Sequence, residues 1–172
     1  MELRDQNGMT EREYLAKYRE KRYPAPYLAA DVVLLSEEAE VLLIRRGGHP
    51  YLGYWALPGG FVNPDESAAD AAIRELSEET GAAGFKPDDL IEIGLFSKPG
   101  RDPRGWVVSD AFLLPVDKAA LRVRAGDDAA DARWFPLERK EGVLCLPEGV
   151  SPAFDHAEIL EKALRLYAAR QR

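Results

Sequence analysis

Residues 60–82, GFVNPDESAADAAIRELSEETGA, constrain the chain more than any other stretch. From 67 to 80 the run holds no Gly or Pro and is rich in Ala, Glu and Leu, so its local preference is helical. Asn63, Asp65 and Ser67 are candidate N-caps, and Gly81 stands where a left-handed C-terminal residue is expected. At about 100° per residue, Ala69, Ala72, Ile73, Leu76 and Thr80 share one face and Glu75, Glu78 and Glu79 share another. Side chains spaced i, i+3 and i+4 are neighbours, with Cβ atoms about 5–6 Å apart. Most acidic helix faces are solvated and relieved by interleaved lysines. Here Arg74 is the only basic residue between Asn63 and Phe85. Three carboxylates this close favour a divalent cation among them, and a hard cation with oxygen ligands bridges readily to phosphates.

Written out, the run is Gly60, five residues, Glu66, seven residues, then Arg74-Glu75-Leu76-x-Glu78-Glu79-x-Gly81-Ala82. This resembles the Nudix box, the signature of hydrolases acting on a nucleoside diphosphate linked to another group. Every charged and glycine position is matched, and Ala82 departs where the family prefers a larger aliphatic residue. The resemblance covers residues 27–140. It implies an α/β fold, an α/β/α sandwich with a mixed β-sheet in which the box forms a loop-helix-loop. It also implies metal-dependent hydrolysis of a diphosphate, with Mg²⁺ or alternatively Mn²⁺ as cofactor. By position, Glu75, Glu78 and Glu79 would be the metal ligands together with the Gly59 carbonyl, just before the box. Arg74 would orient the carboxylates, and Glu66 would brace the loop. In similar enzymes the general base is often an acidic residue on a loop outside the box. Asp127, Asp128 and Asp131, in GDDAADARW, are the candidates here, against the plain reading of a polar turn.

The rest of the chain supplies strands and two more helices. Residues 10–22 carry a capping box, Thr10 with Glu13, and Pro24 and Pro26 end that helix. Residues 27–35 and 40–45 are Val/Leu/Ile-rich and read as a hairpin. Strands are expected at 90–97, 105–116, 121–125 and 132–135. A last helix is expected over 152–170, with Ser151 as N-cap and Pro152 at its first position. The expected organisation is one domain over 1–172: a helical arm to 26, a core over 27–140, and a C-terminal loop and helix.

Features outside the box bear on the substrate. The stretch PGRDPRG, residues 99–105, resembles a loop of ADP-ribose pyrophosphatases, so Arg101 and Arg104 could reach phosphate or ribose oxygens and Asp102 could accept from ribose hydroxyls. Arg46 ends the hairpin as a further substrate-binding candidate. Trp55 and Phe61 flank the Pro-Gly-Gly turn, where an adenine could stack, although aromatic residues at such a turn are usually core. Ala153-Phe154-Asp155-His156 is similar to a stretch of ADP-ribose hydrolases and of the related Nudix-like repressors, and the plain reading of His156 is a helix residue bonded to a neighbour. The resemblance points to ADP-ribose cleaved to AMP and ribose 5-phosphate. The alternatives are NADH, a dinucleoside polyphosphate or an oxidised nucleotide as substrate, or a non-catalytic ADP-ribose-sensing binding protein.

The net charge of −7 argues against a nucleic-acid partner, and the 16 residues after His156 are too few for the winged helix of the related repressors. One cysteine, Cys145, allows no internal disulfide and fits a reducing cytoplasm. No apolar run suggests a membrane partner. The first and last helices could form a homodimer interface.

Overall fold

The computed structural model describes residues 3–21, 24–126, 129–140 and 143–171. Its centre is β1 (Tyr27–Ser36), buried from Ala29 onward. A strand covered on both faces reads as a near-continuous apolar run, as AADVVLLS does. β2 (Glu40–Arg46) turns back antiparallel to it through Leu35↔Val41, so the expected hairpin is present. β3 (Trp55–Ala56) pairs with β2, and β4 (Gly59–Phe61) lies antiparallel to the first half of β1. Next comes the box helix α2, Ala68–Thr80, preceded in the chain by α1, Glu11–Glu20. β5 (Ile91–Phe96) pairs antiparallel with β6 (Val107–Val116), and β6 runs parallel to β1 from Tyr27↔Val107 to Ser36↔Val116. β7 (Ala129–Pro136) pairs with β2, and β8 (Glu138–Lys140) forms a separate two-stranded ribbon with β9 (Val143–Cys145). α3 (His156–Arg170) closes the chain.

Among the described residues seven strands thus make one mixed sheet. Alternate residues of β1 feed two cores. Ala30, Val32 and Leu34 meet Ala71, Ala72 and Leu76 of α2 on one face. Val33 and Leu35 meet Ile159, Leu160, Ala163 and Leu164 of α3 on the other. The architecture is the α/β/α sandwich expected from the box.

Local signals explain the helices. Ser67 caps α2 in a box with Asp70, and Gly81 ends it in the left-handed region at φ 70°. Thr10 and Glu13 cap α1 reciprocally. The buried side of α2 is rotated from expectation: Ala71 is fully buried, while Ala69 and Ile73 are only partly so.

Two expectations are corrected. Residues 121–125 are not a strand; Arg124 N–H donates to the Thr80 carbonyl (2.8 Å) and Gly126 N–H to the Glu79 carbonyl (3.0 Å), so this backbone satisfies the C-terminus of α2. The last helix begins at His156 rather than 152, because Ala153 N–H donates to the Trp55 carbonyl (2.7 Å) and Phe154 sits at φ 54°, outside helical space.

Candidate active site

β4 brings two glycines against the box helix with no room to spare. A Cβ on Gly60 would lie 2.3 Å from Glu75 Oε1, and one on Gly59 would lie 2.3 Å from the Ala30 carbonyl oxygen and 2.6 Å from Asp31 Oδ1. Only glycine lets the strand approach this closely. The Gly59 N–H donates to Glu79 Oε2 at 3.0 Å.

Arg74 organises the carboxylates. Its Nη1 donates to Glu75 (2.7 Å) and Glu78 (3.1 Å), its Nε and Nη2 donate to Glu66 (3.0 and 2.6 Å), and Nη2 also reaches the Phe61 carbonyl (3.1 Å). Glu66 in turn accepts from Asn63 N–H at 2.8 Å, which ties the loop to the helix. The Arg74 hydrogen bonds hold the Glu66 carboxyl down at about 2. Glu79 behaves in the opposite way. Burial, reinforced by the charges of Glu75 and Asp31, pushes it up to about 8 despite the Gly59 N–H. Burial also raises Glu75, against the pull of Arg74.

Among the described residues no three acidic, histidine or cysteine side chains converge on one point as a ready cation cage. Arg74 engages Glu75 and Glu78 instead. The donor chemistry nevertheless fits a hard divalent cation. The donors are oxygens, and Glu79 is a half-buried carboxylate beside two others whose excess negative charge a cation relieves.

Glu75 and Glu79 line a cavity of about 710 Å³, within the usual size range of ligand pockets. They line it together with Arg46 and Arg104, and so do Gly59, Gly60 and Phe61. Arg46 is anchored by its Nε to the Pro50 carbonyl (2.7 Å). Burial, followed by the charge of Arg104, lowers its proton affinity, so the two cations are held close at some cost. Arg104 is fixed along one edge by Asp102 (Nε 3.0 Å, Nη2 2.7 Å) and lies over the Phe61 ring at 4.7 Å.

Other sequence candidates fall elsewhere. Arg101 is 8% exposed and makes a bidentate pair with Asp155 (2.7 and 2.6 Å), 3.8 Å from Asp31. Asp102 accepts from Arg104. Both line a smaller recess beside the main cavity, so neither expected ribose contact is free as drawn from sequence. Trp55 lies outside both cavities, edge-on to Phe135 at 4.7 Å in the α3-side core. Asp131 pairs with Arg133 at 2.5 Å. Asp127 and Asp128 lie outside the described residues; their neighbours are Gly126, bonded to the end of α2, and Ala129, in the cavity wall.

Sequence reasoning missed a buried polar network under the site. Ser109 Oγ donates to Asp31 Oδ2, and His156 Nε2 stands 3.6 Å from Asp31 Oδ1. His156 Nδ1 accepts from Leu57 N–H at 2.9 Å, which fixes the turn before Gly59, and burial pushes its proton affinity down, so the ring is neutral. The signal was present in β1, where Asp31 is the one charge in an apolar strand.

A mixed sheet between helices, carrying a glycine turn and an arginine-tied carboxylate helix on one cavity wall, defines a Nudix pyrophosphohydrolase. The family model described as the NUDIX domain matches residues 25–148, and the chain belongs to that family. It is 40% identical over 151 residues to an ADP-ribose pyrophosphatase of Methanocaldococcus jannaschii, covering 88% of this chain and 79% of the relative. Among solved structures it resembles a MutT/nudix family protein from Enterococcus faecalis (TM-score 0.82, 36% identity, 94% of this chain and 70% of that one). It also resembles the NUDIX domain of Shewanella oneidensis NrtR complexed with ADP ribose (TM-score 0.75, 30% identity, 92% and 99%).

Proposed function

We propose that this pyrophosphohydrolase cleaves ADP-ribose to AMP and ribose 5-phosphate with a divalent cation, Mg²⁺ or Mn²⁺. The observation that carries the reading is the lining of the cavity, where Glu75 and Glu79 meet the same space as Arg46 and Arg104. A diphosphate diester carries negative charge that the arginines attract and the carboxylates repel unless a cation lies between them. The identity with the archaeal pyrophosphatase supports this substrate.

In this reading Glu75, Glu78, Glu79 and the Gly59 carbonyl hold the cation. A cation held there would neutralise phosphoryl charge and acidify a water. Arg46 and Arg104 hold the diphosphate, and the ring of Phe61 offers a flat face beside it. Water adds to one phosphorus, the bridging P–O bond breaks, and the leaving phosphate takes the electron pair. The water's proton passes to an acidic group of the 127–131 segment. Arg74 acts indirectly, by fixing the carboxylates that bind.

The acidic net charge supports a small nucleotide rather than nucleic acid as the partner. No described helix is long and apolar enough to cross a membrane. The test is a panel of ADP-ribose, NADH, a dinucleoside polyphosphate and an oxidised nucleotide with Mg²⁺, followed by product identification. Preferred turnover of ADP-ribose to AMP supports the reading. Faster turnover of another compound overturns the substrate, and no turnover with any of them supports a binding-only role.

A further inference from the structure

We propose that Phe154 is a positioning residue that sets Arg46 and Arg104 as a paired clamp for two adjacent phosphoryl groups. The inference deepens the reading of the cavity given above and rests on it.

Two like-charged guanidiniums do not lie side by side unless something holds them. Here one ring does. The Arg46 guanidinium carbon lies 5.0 Å from the centroid of the Phe154 ring, and that of Arg104 lies 5.6 Å from the same centroid. Both are within the distance at which the ring quadrupole attracts a cation. Arg104 also lies 4.7 Å from Phe61, so two aromatic rings hold it while Asp102 takes one edge. Arg46 has the Pro50 carbonyl on its Nε. Each cation has further contacts of its own, and Phe154 is the one they share.

The ring reaches this place through an unusual backbone. Phe154 adopts φ 54°, a region that large L-residues rarely occupy. The segment is over-determined on both sides: Ala153 N–H is bonded to Trp55, and Asp155 is locked by Arg101. Tyr51, also at positive φ (59°), packs tilted against the ring, centroids 4.7 Å apart. Strained conformations held this way cluster at ligand sites. The strain here places an aromatic ring, rather than a backbone atom, beside the anion-binding groups.

Two fixed cations suit two linked phosphoryl groups better than one. Inorganic pyrophosphate and orthophosphate, titrated without metal in the presence of a chelator, read this directly and need no turnover. The native protein is expected to bind pyrophosphate about tenfold more tightly than orthophosphate, as a second charge-assisted contact provides. Phe154→Leu is expected to cut that ratio to about threefold or less and to raise KM for the diphosphate substrate, with kcat within about a factor of two. Phe154→Tyr keeps the ring face and is expected to keep the ratio. If Phe154→Leu does not melt cooperatively, Phe154→Met fills similar volume without a ring and carries the same test. Native-like preference in either ring-less variant, or no preference in the native protein, overturns the clamp. A native preference that disappears in Phe154→Leu, in a protein that turns over no nucleoside diphosphate, sinks the hydrolase reading and leaves the clamp standing.

Discussion

Gly60→Ala separates architecture from chemistry more cleanly than any other single change in the box. The added Cβ would stand 2.3 Å from Glu75 Oε1, 2.4 Å from its Cδ and 2.8 Å from its Oε2. That is about 1 Å inside ordinary carbon–oxygen contact. The obstacle is the end of a flexible side chain, so Glu75 swings aside and the backbone stays. The fold then loses the 2.7 Å Arg74–Glu75 hydrogen bond, worth about 1–2 kcal/mol to a partly buried charged pair. Alanine returns about 0.4–1 kcal/mol by restricting the unfolded chain. The net change is about 1 kcal/mol, or about 2–4 °C in Tm for a chain of this size. Turnover should suffer far more, because an ångström-scale displacement of a cation ligand costs about 10²-fold in rate. Gly59→Ala is the control. Its Cβ meets backbone, the Ala30 carbonyl oxygen at 2.3 Å and Asp31 Cα at 2.9 Å, which cannot swing away. That variant should lose about 3 kcal/mol or more. The assays are thermal melts in chelator and initial rates with Mg²⁺. A Gly60→Ala protein with native kcat, or with the large stability loss expected of Gly59→Ala, refutes the close approach of strand and carboxylate.

Four further outcomes follow. Glu79, raised from 4.5 to about 8, binds more protons folded than unfolded across that window, so its contribution to metal-free stability should be lost as pH rises from 4.5 to 8; a stability difference between the native protein and Glu79→Gln that stays constant over this range contradicts it. Glu66, lowered to about 2, has the opposite sign, and its contribution is lost as pH falls from 4.5 toward 2, which melts of Glu66→Gln against the native protein would read. Arg101→Ala leaves Asp155 and Asp31 as buried carboxylates without their cation and should cost about 3–5 kcal/mol in denaturant unfolding. Single Asn replacements of Asp127, Asp128 and Asp131 should leave stability unchanged, and one of them should lower kcat by about 10²-fold or more; native rates in all three remove the segment from the chemistry.

The features legible in the sequence were those whose causes are local. Caps, a glycine stop and residue spacing specify α1 and α2 within a few positions of chain, and the apolar run of β1 announces burial on both faces. The two-residue β3 and three-residue β4 carry no such signal, since they exist only because the edges of β1 and β2 accept them. The same holds for the start of α3, where Trp55, about a hundred residues earlier, holds Ala153 out of the helix. Arg101 looked like a ligand contact because its partner Asp155 is 54 residues away, whereas the Asp102–Arg104 pair is the salt-bridged turn that the Arg-Asp-Pro-Arg run also allowed. Phe154 stood out only as part of the 153–156 resemblance, because neither its backbone angle nor its two arginine neighbours can be read from spacing. Arg46 and Arg104 were legible as cations, but their shared ring was not.

The most direct measurement is calorimetric titration of Mg²⁺ and Mn²⁺ into the native protein and into Glu75→Gln and Glu79→Gln, with turnover measured on the same preparations. The account predicts cation uptake with proton release near pH 7 in the native protein, weakened in both variants together with turnover. Native-like rates in either variant, or no uptake by the native protein with or without nucleotide, would contradict it.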